Sequence, residues 1–136
     1  MKTFNFRKLG ILLVMMLVSG MVLVGSASAY ETEGSSNNGY YDVWAGGSVI
    51  AGEAANYYGQ TGTKNGATAG AIYVCAYIMD SSSELHWVDD GRTNTNFLEA
   101  SEFFDHHAPI SYPRVKVEMS GANPDDLKRY QYCNLY

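Results

Sequence analysis

Between Ala71 and Met79 the chain carries two interleaved apolar sets. Successive side chains of a strand point to opposite faces, so Ile72, Val74, Ala76 and Ile78 share one side and Tyr73, Cys75, Tyr77 and Met79 the other. A strand apolar on both faces belongs in the middle of a sheet and is expected to be covered on both sides. The remaining sequence has to be arranged around it. All 11 tyrosines and both tryptophans lie beyond residue 29, among many Gly, Ser, Thr and Asn residues. That blend suits strands and disfavours long helices. The expected fold is all-β, or β with one short helix, as a small antiparallel β-sandwich or barrel.

Other elements are expected around this strand. Tyr40 to Ile50 reads as a strand interrupted at Gly46-Gly47, where a bulge or bend suits residues without a Cβ. Residues 53–58 fit a helical turn or a strand equally, and Asn65-Gly66 supports a tight turn. Glu84 to Val88 reads as a short strand with Leu85 and Trp87 on one side, ended by Asp89-Asp90-Gly91. Residues 97–107 are the best helix candidate: Asn96 can cap, Glu99 stands three residues on, and Phe97, Ala100 and Phe104 would share a face. After Pro109 and Pro113, Val115, Val117 and Met119 alternate with Arg114, Lys116 and Glu118 as a strand with one wet face. Tyr130, Tyr132 and Tyr136 alternate in the last run. No internal repeat occurs.

The first 29 residues read as a cleavable secretory signal. Lys2, Arg7 and Lys8 precede an apolar run from Leu9 to Val24, and Ala27-Ser28-Ala29 supplies the small residues a signal peptidase requires. Residues 30–39, polar and without periodicity, are expected as a flexible leader, and residues 40–136 as a single β-rich domain. The expected location is secreted, with no stable membrane anchor. Removal of the signal takes away three of nine basic residues and none of the 14 acidic ones, leaving a formal charge of −8 (6 − 14). Binding to nucleic acid or anionic lipid, which needs clustered Lys or Arg, is disfavoured.

Cys75 and Cys133 form an even pair in a chain read as exported, so a disulfide is expected between them. Closing a loop of about 60 residues would stabilise the fold by about 4 kcal/mol in the chain-entropy account.

Chemistry-bearing residues are sparse. His86, His106 and His107 with Asp105 are the candidate metal ligands, although neighbours in sequence diverge on a helix or a strand, so His106 and His107 would rarely reach one ion together. Asp89, Asp90, Asn94 and Asn96 have the oxygens a calcium loop needs but not its spacing. No nucleophile elbow is present, no catalytic residue is assigned and no cofactor is expected. The aromatic residues Tyr40, Tyr41, Trp44, Tyr57, Tyr58 and Trp87 are the candidate binding set, able to stack on sugar rings or to form a protein-binding patch. One tyrosine of each adjacent pair is expected in the core and the other at the surface.

Trp44, the Asn56-Tyr57-Tyr58 run and a Thr63-Lys64-Asn65 turn resemble the small lactococcin-type β-sandwich bacteriocins. The resemblance implies an exported, non-enzymatic toxin. It spans less than a third of the chain beyond residue 29, and the acidic remainder with its two cysteines departs from the pattern. The leading expectation is therefore a secreted, non-enzymatic binding protein with an extracellular protein or carbohydrate ligand. A bacteriocin-like toxin and a small hydrolase using His86, His106 or His107 with nearby carboxylates are the alternatives.

Overall fold

A computed structural model describes residues 29–50 and 52–136; the signal-peptide reading falls almost wholly outside them. Eight strands follow in order: β1 Tyr30–Ser35, β2 Tyr41–Ile50, β3 Ala54–Thr63, β4 Ala69–Asp80, β5 Ser83–Thr95, β6 Phe97–Asp105, β7 Arg114–Gly121 and β8 Lys128–Asn134. They form two antiparallel four-stranded sheets, ordered β1-β2-β3-β6 and β5-β4-β7-β8. The sheets pack face to face as a β-sandwich. The only helical piece among the described residues is a 3-10 turn at Pro124–Asp126, and no helix there is long and apolar enough to cross a membrane.

Alternation builds the core. Tyr41, Val43 and Ala45 of β2, Ala55 and Tyr57 of β3, and Leu98 and Ala100 of β6 face Ile72, Val74, Ala76 and Ile78 of β4 and Val115, Val117 and Met119 of β7. Stacked sheets stand about 10 Å apart, which leaves room for one interdigitated layer of side chains. At Gly59 the sheets approach closely: a Cβ there would lie 2.9 Å from both Val117 methyls and 3.2 Å from the Ala76 Cβ.

Several expectations need correction. Phe97 to Asp105 is strand β6, not a helix. The capping signal is local, whereas pairing with β3 along the whole of β6 satisfies its backbone and buries Leu98 and Ala100. Residues 30–39 are not a loose leader. β1 pairs with β2, and the turn after it is tied down by bonds from the Asn37 and Asn38 amides to the Leu127 and Asp125 carbonyls. β2 runs through Gly46-Gly47 in unbroken register with β3. Gly46 leaves space for the Tyr58 ring, which a Cβ would meet at 2.3 Å. β5 likewise continues past Asp89-Asp90-Gly91. A register shift opposite Ile78 and Met79 inserts Leu85, which packs against the core while Trp87 turns outward.

The expected Cys75 to Cys133 disulfide does not form; both thiols are free and buried. Cys75 pairs with Glu118 on β7, and Cys133 pairs with Val115 on the other side of β7. Two strand spacings of about 4.8 Å already put the pair beyond the reach of an S–S bond. Glu118 and Val115 are an odd number of residues apart, so the two cysteines also face opposite sides of the sheet. Reductant is therefore expected to leave the thermal midpoint of the folded protein unchanged. Iodoacetamide should label both thiols only after unfolding, and a reductant-dependent midpoint would contradict this arrangement.

Candidate functional site

The sandwich gives β4 one covered face, not two. On its outer side Tyr73 and Tyr77 stand over Cys75, and among the described residues no second layer lies above them. Register extends this face across the sheet. Trp87 pairs with Tyr77, Tyr77 with Lys116, and Lys116 with Tyr132, so one row crosses β5, β4, β7 and β8. Tyr130 lies on the same side of β8 as Tyr132, their ring centroids 5.9 Å apart. The aromatics are open to solvent: Trp87 is 56% exposed, Tyr130 51%, Tyr132 42% and Tyr73 38%.

Two cations hold the rings. Lys116 is only 7% exposed, and its ammonium lies 4.1 Å from the Tyr77 ring centroid and 5.0 Å from that of Tyr130. It also pairs with the Glu84 carboxylate. Arg114 lies over Tyr132 at 4.9 Å. Attraction between a cation and a ring face is strengthened by partial desolvation, so Lys116 fixes the tilt of its two neighbours. Beneath them, burial pushes the Cys75 thiol up, partly offset by hydrogen bonds with Tyr77 and Tyr73. Burial and the neighbouring Cys75 push the Tyr73 phenol up to about 12, and the hydrogen bond with Cys75, then burial, raises Tyr77. All three groups stay neutral near pH 7.

The aromatic set expected from sequence is divided by the fold. Tyr41 and Tyr57 are core. Tyr40 is half-buried against Tyr41, with ring centroids 4.9 Å apart. Trp44 and Tyr58 lie on the outer face of the first sheet, Trp44 near Phe97 and Tyr58 bonded to Glu31. Trp87 alone of that set belongs to the second sheet's outer face. Tyr73, Tyr77, Tyr130 and Tyr132 were missed as site residues, although their spacing of two or four along strands marks them as sharing a side.

The histidines are dispersed. His86 points inward from β5 at the seam with β6, where its Nε2 lies 2.9 Å from Glu102, and the Tyr57 hydroxyl donates to the same carboxylate at 3.3 Å. Phe104 stacks on His86 at 5.2 Å and on His106 at 5.4 Å, so a phenyl ring separates the two imidazoles. His107 and Asp105 are exposed. Among the described residues no group of three or more His, Cys, Asp or Glu side chains could hold a metal ion. Asp89 and Asp90 fall on opposite faces of β5, and Asp90 pairs with Arg92 at 3.0 Å, so they form no calcium loop.

No protein-family model matches the chain, and no curated protein is significantly similar to it. Among solved structures, it is similar to an endonuclease/exonuclease/phosphatase from Beutenbergia cavernae DSM 12333, with a TM-score of 0.50 and 14% identity over 79% of this chain and 27% of that one. It is also similar to β-glucuronidase 2 of Bacteroides uniformis, with a TM-score of 0.41 and 7% identity over 76% of this chain and 12% of that one. The chain spans about a quarter of the first protein and less of the second. What the first likeness shows is the fold.

Proposed function

We propose that this chain is a secreted, non-enzymatic binding protein whose ligand lies outside the cell, and that the outer face of the β5-β4-β7-β8 sheet is its contact surface. The observation that carries the reading is the convergence of four exposed aromatic rings and two ring-bound cations on that one face. Aromatic groups with few rotatable bonds contribute large contact area at low entropic cost, and they dominate binding energies at protein surfaces. Cations already engaged with rings, Lys116 with a carboxylate as well, keep those rings in place before a ligand arrives. The His86, Glu102 and Tyr57 group belongs to the seam between sheets, where it joins β5 to β6. A toxin would use the same kind of face and differ only in its target.

Retention on immobilised cell-surface polysaccharides and on extracellular proteins tests the reading. The purified protein is expected to be retained by at least one. A Trp87→Ala/Tyr132→Ala double variant should lose about 100-fold in affinity, two ring contacts of roughly 1.4 kcal/mol each. Trp44→Ala, on the opposite sheet, should bind normally. Retention that survives the double variant, or follows Trp44 instead, would remove the basis for this assignment.

A further inference from the structure

Resting on that reading, we infer that the ligand of the outer face is a neutral, extended polysaccharide chain. Three observations favour it over an anionic polymer, a small molecule or a protein.

The first is charge. Lys116 is paired with Glu84 and sandwiched by two rings, and Arg114 is held over Tyr132. Lys116, the more deeply buried of the two, is therefore not free to meet a phosphate or uronate. Asp89 and Glu118, paired across β4 through Cys75, lie between the two tyrosines of that strand and make the middle of the face acidic. Anionic chains are repelled there, whereas a neutral sugar presents hydroxyl donors that carboxylates accept.

The second is chemical uniformity. Among the described residues, every large exposed hydrophobic residue on this face is Tyr or Trp: Tyr73, Trp87, Tyr130 and Tyr132. Protein-binding surfaces also draw on Met and other apolar side chains at their centres. The rings, phenolic hydroxyls and carboxylates of this surface match the two halves of a pyranose, its apolar C–H face and its rim of hydroxyls.

The third is shape. The row from Trp87 to Tyr132 crosses four strands, a span of about 14 Å at the usual strand spacing. Its exposed rings, Trp87 on β5 and Tyr132 on β8, stand at the two ends, with the half-buried Tyr77 and the buried Lys116 between them. At the other end of the face Gly91 sits opposite Tyr73, and Ala71 and Thr93 follow beside them. Ile72 and Arg92 join these small residues in lining a trough of ≈ 560 Å³ at that end of the β4-β5 pair. A row that is open at both ends accepts a chain entering and leaving at either side of the sheet.

Affinity electrophoresis and pull-down with cellulose, chitin, xylan and a neutral β-glucan, alongside polygalacturonate, alginate and a panel of extracellular proteins, test this inference. In a Trp44→Phe background Trp87 is the only tryptophan of the chain beyond residue 29, so its fluorescence reports directly on the face. The expected result is retention by at least one neutral polymer, a change in Trp87 emission on binding, and an affinity that is unchanged between low and high salt. Trp87→Ala should weaken binding about tenfold, with Trp87→Phe retaining most of it. Binding confined to the anionic polymers, or falling steeply with salt, would overturn the polysaccharide assignment. Binding only to a protein, abolished by Trp87→Ala, would overturn it too while leaving the contact face intact. Absence of binding to every probe by a protein with a normal urea midpoint would overturn both.

Discussion

Gly59→Val is expected to unfold the protein. Valine favours strands, so any loss must come from the space it enters. At this position that space is absent. A single added Cβ already meets the Val117 methyls at 2.9 Å and the Ala76 Cβ at 3.2 Å, all in the interior between the sheets. Neither neighbour is a flexible chain end. Gly59→Ala should cost about 1–3 kcal/mol as an overpacked core does, and Val, with two more methyls against the same wall, more than about 3 kcal/mol. For a domain of this size the larger figure approaches the whole stability. Urea denaturation and near-ultraviolet circular dichroism measure the series. Gly59→Ala combined with Val117→Ala should recover part of the loss, because the second change removes the clashing methyls. An unchanged midpoint for Gly59→Val would show that the sheets do not meet there.

Alkali is expected to unfold the protein well before its backbone is attacked. Burial raises the Tyr57, Tyr58, Tyr41 and Tyr73 phenols, with the carboxylates of Glu102, Glu31 and Asp126 adding to the shifts of Tyr57, Tyr58 and Tyr41 respectively. Burial also raises both thiols, and the hydrogen bond with Cys75 raises Tyr77. A raised folded value means that the fold prefers the protonated group. The corresponding stability is complete below the unfolded values, 9.0 for a thiol and 10.0 for a phenol, and is lost as pH climbs through the folded ones. With seven groups titrating in the same direction, the midpoint of thermal unfolding should fall by on the order of 10 °C or more between pH 9 and pH 11.5. Tyr57→Phe removes one of these groups and should flatten the decline. A midpoint flat over that interval would mean that these side chains are solvated.

How far the sequence predicts the molecule depends on where each signal resides. β4 and β7 were legible because their alternation is strong and is set by the strands themselves. Phe97 to Asp105 was not: Phe97, Ala100 and Phe104 fit a helical face, Leu98, Ala100 and Phe104 fit a strand, and the local cap at Asn96 favoured the former. Pairing with β3, some 40 residues earlier in the chain, decides between them, and no local pattern contains it. The site shows the same limit. Trp87 was recognised, but its companions come from β4 and β8, and only the strand order places them in one row. Reading β4 as covered on both sides mistook amphipathic tyrosine for core, when its ring can be half-buried and its hydroxyl wet.

β7 stands between the two thiols like a spacer. In the native sandwich its presence keeps Cys75 and Cys133 on separate strands and on separate faces. The unfolded chain has no such spacer, and there the two sulfurs can meet freely. A bridge made at that stage cannot coexist with the β4-β7-β8 order, so oxidation and folding compete for the same molecules. Where an oxidant meets this chain, the order of events decides its fate: a sheet closed first shelters both sulfurs, while a bond formed first excludes the sheet.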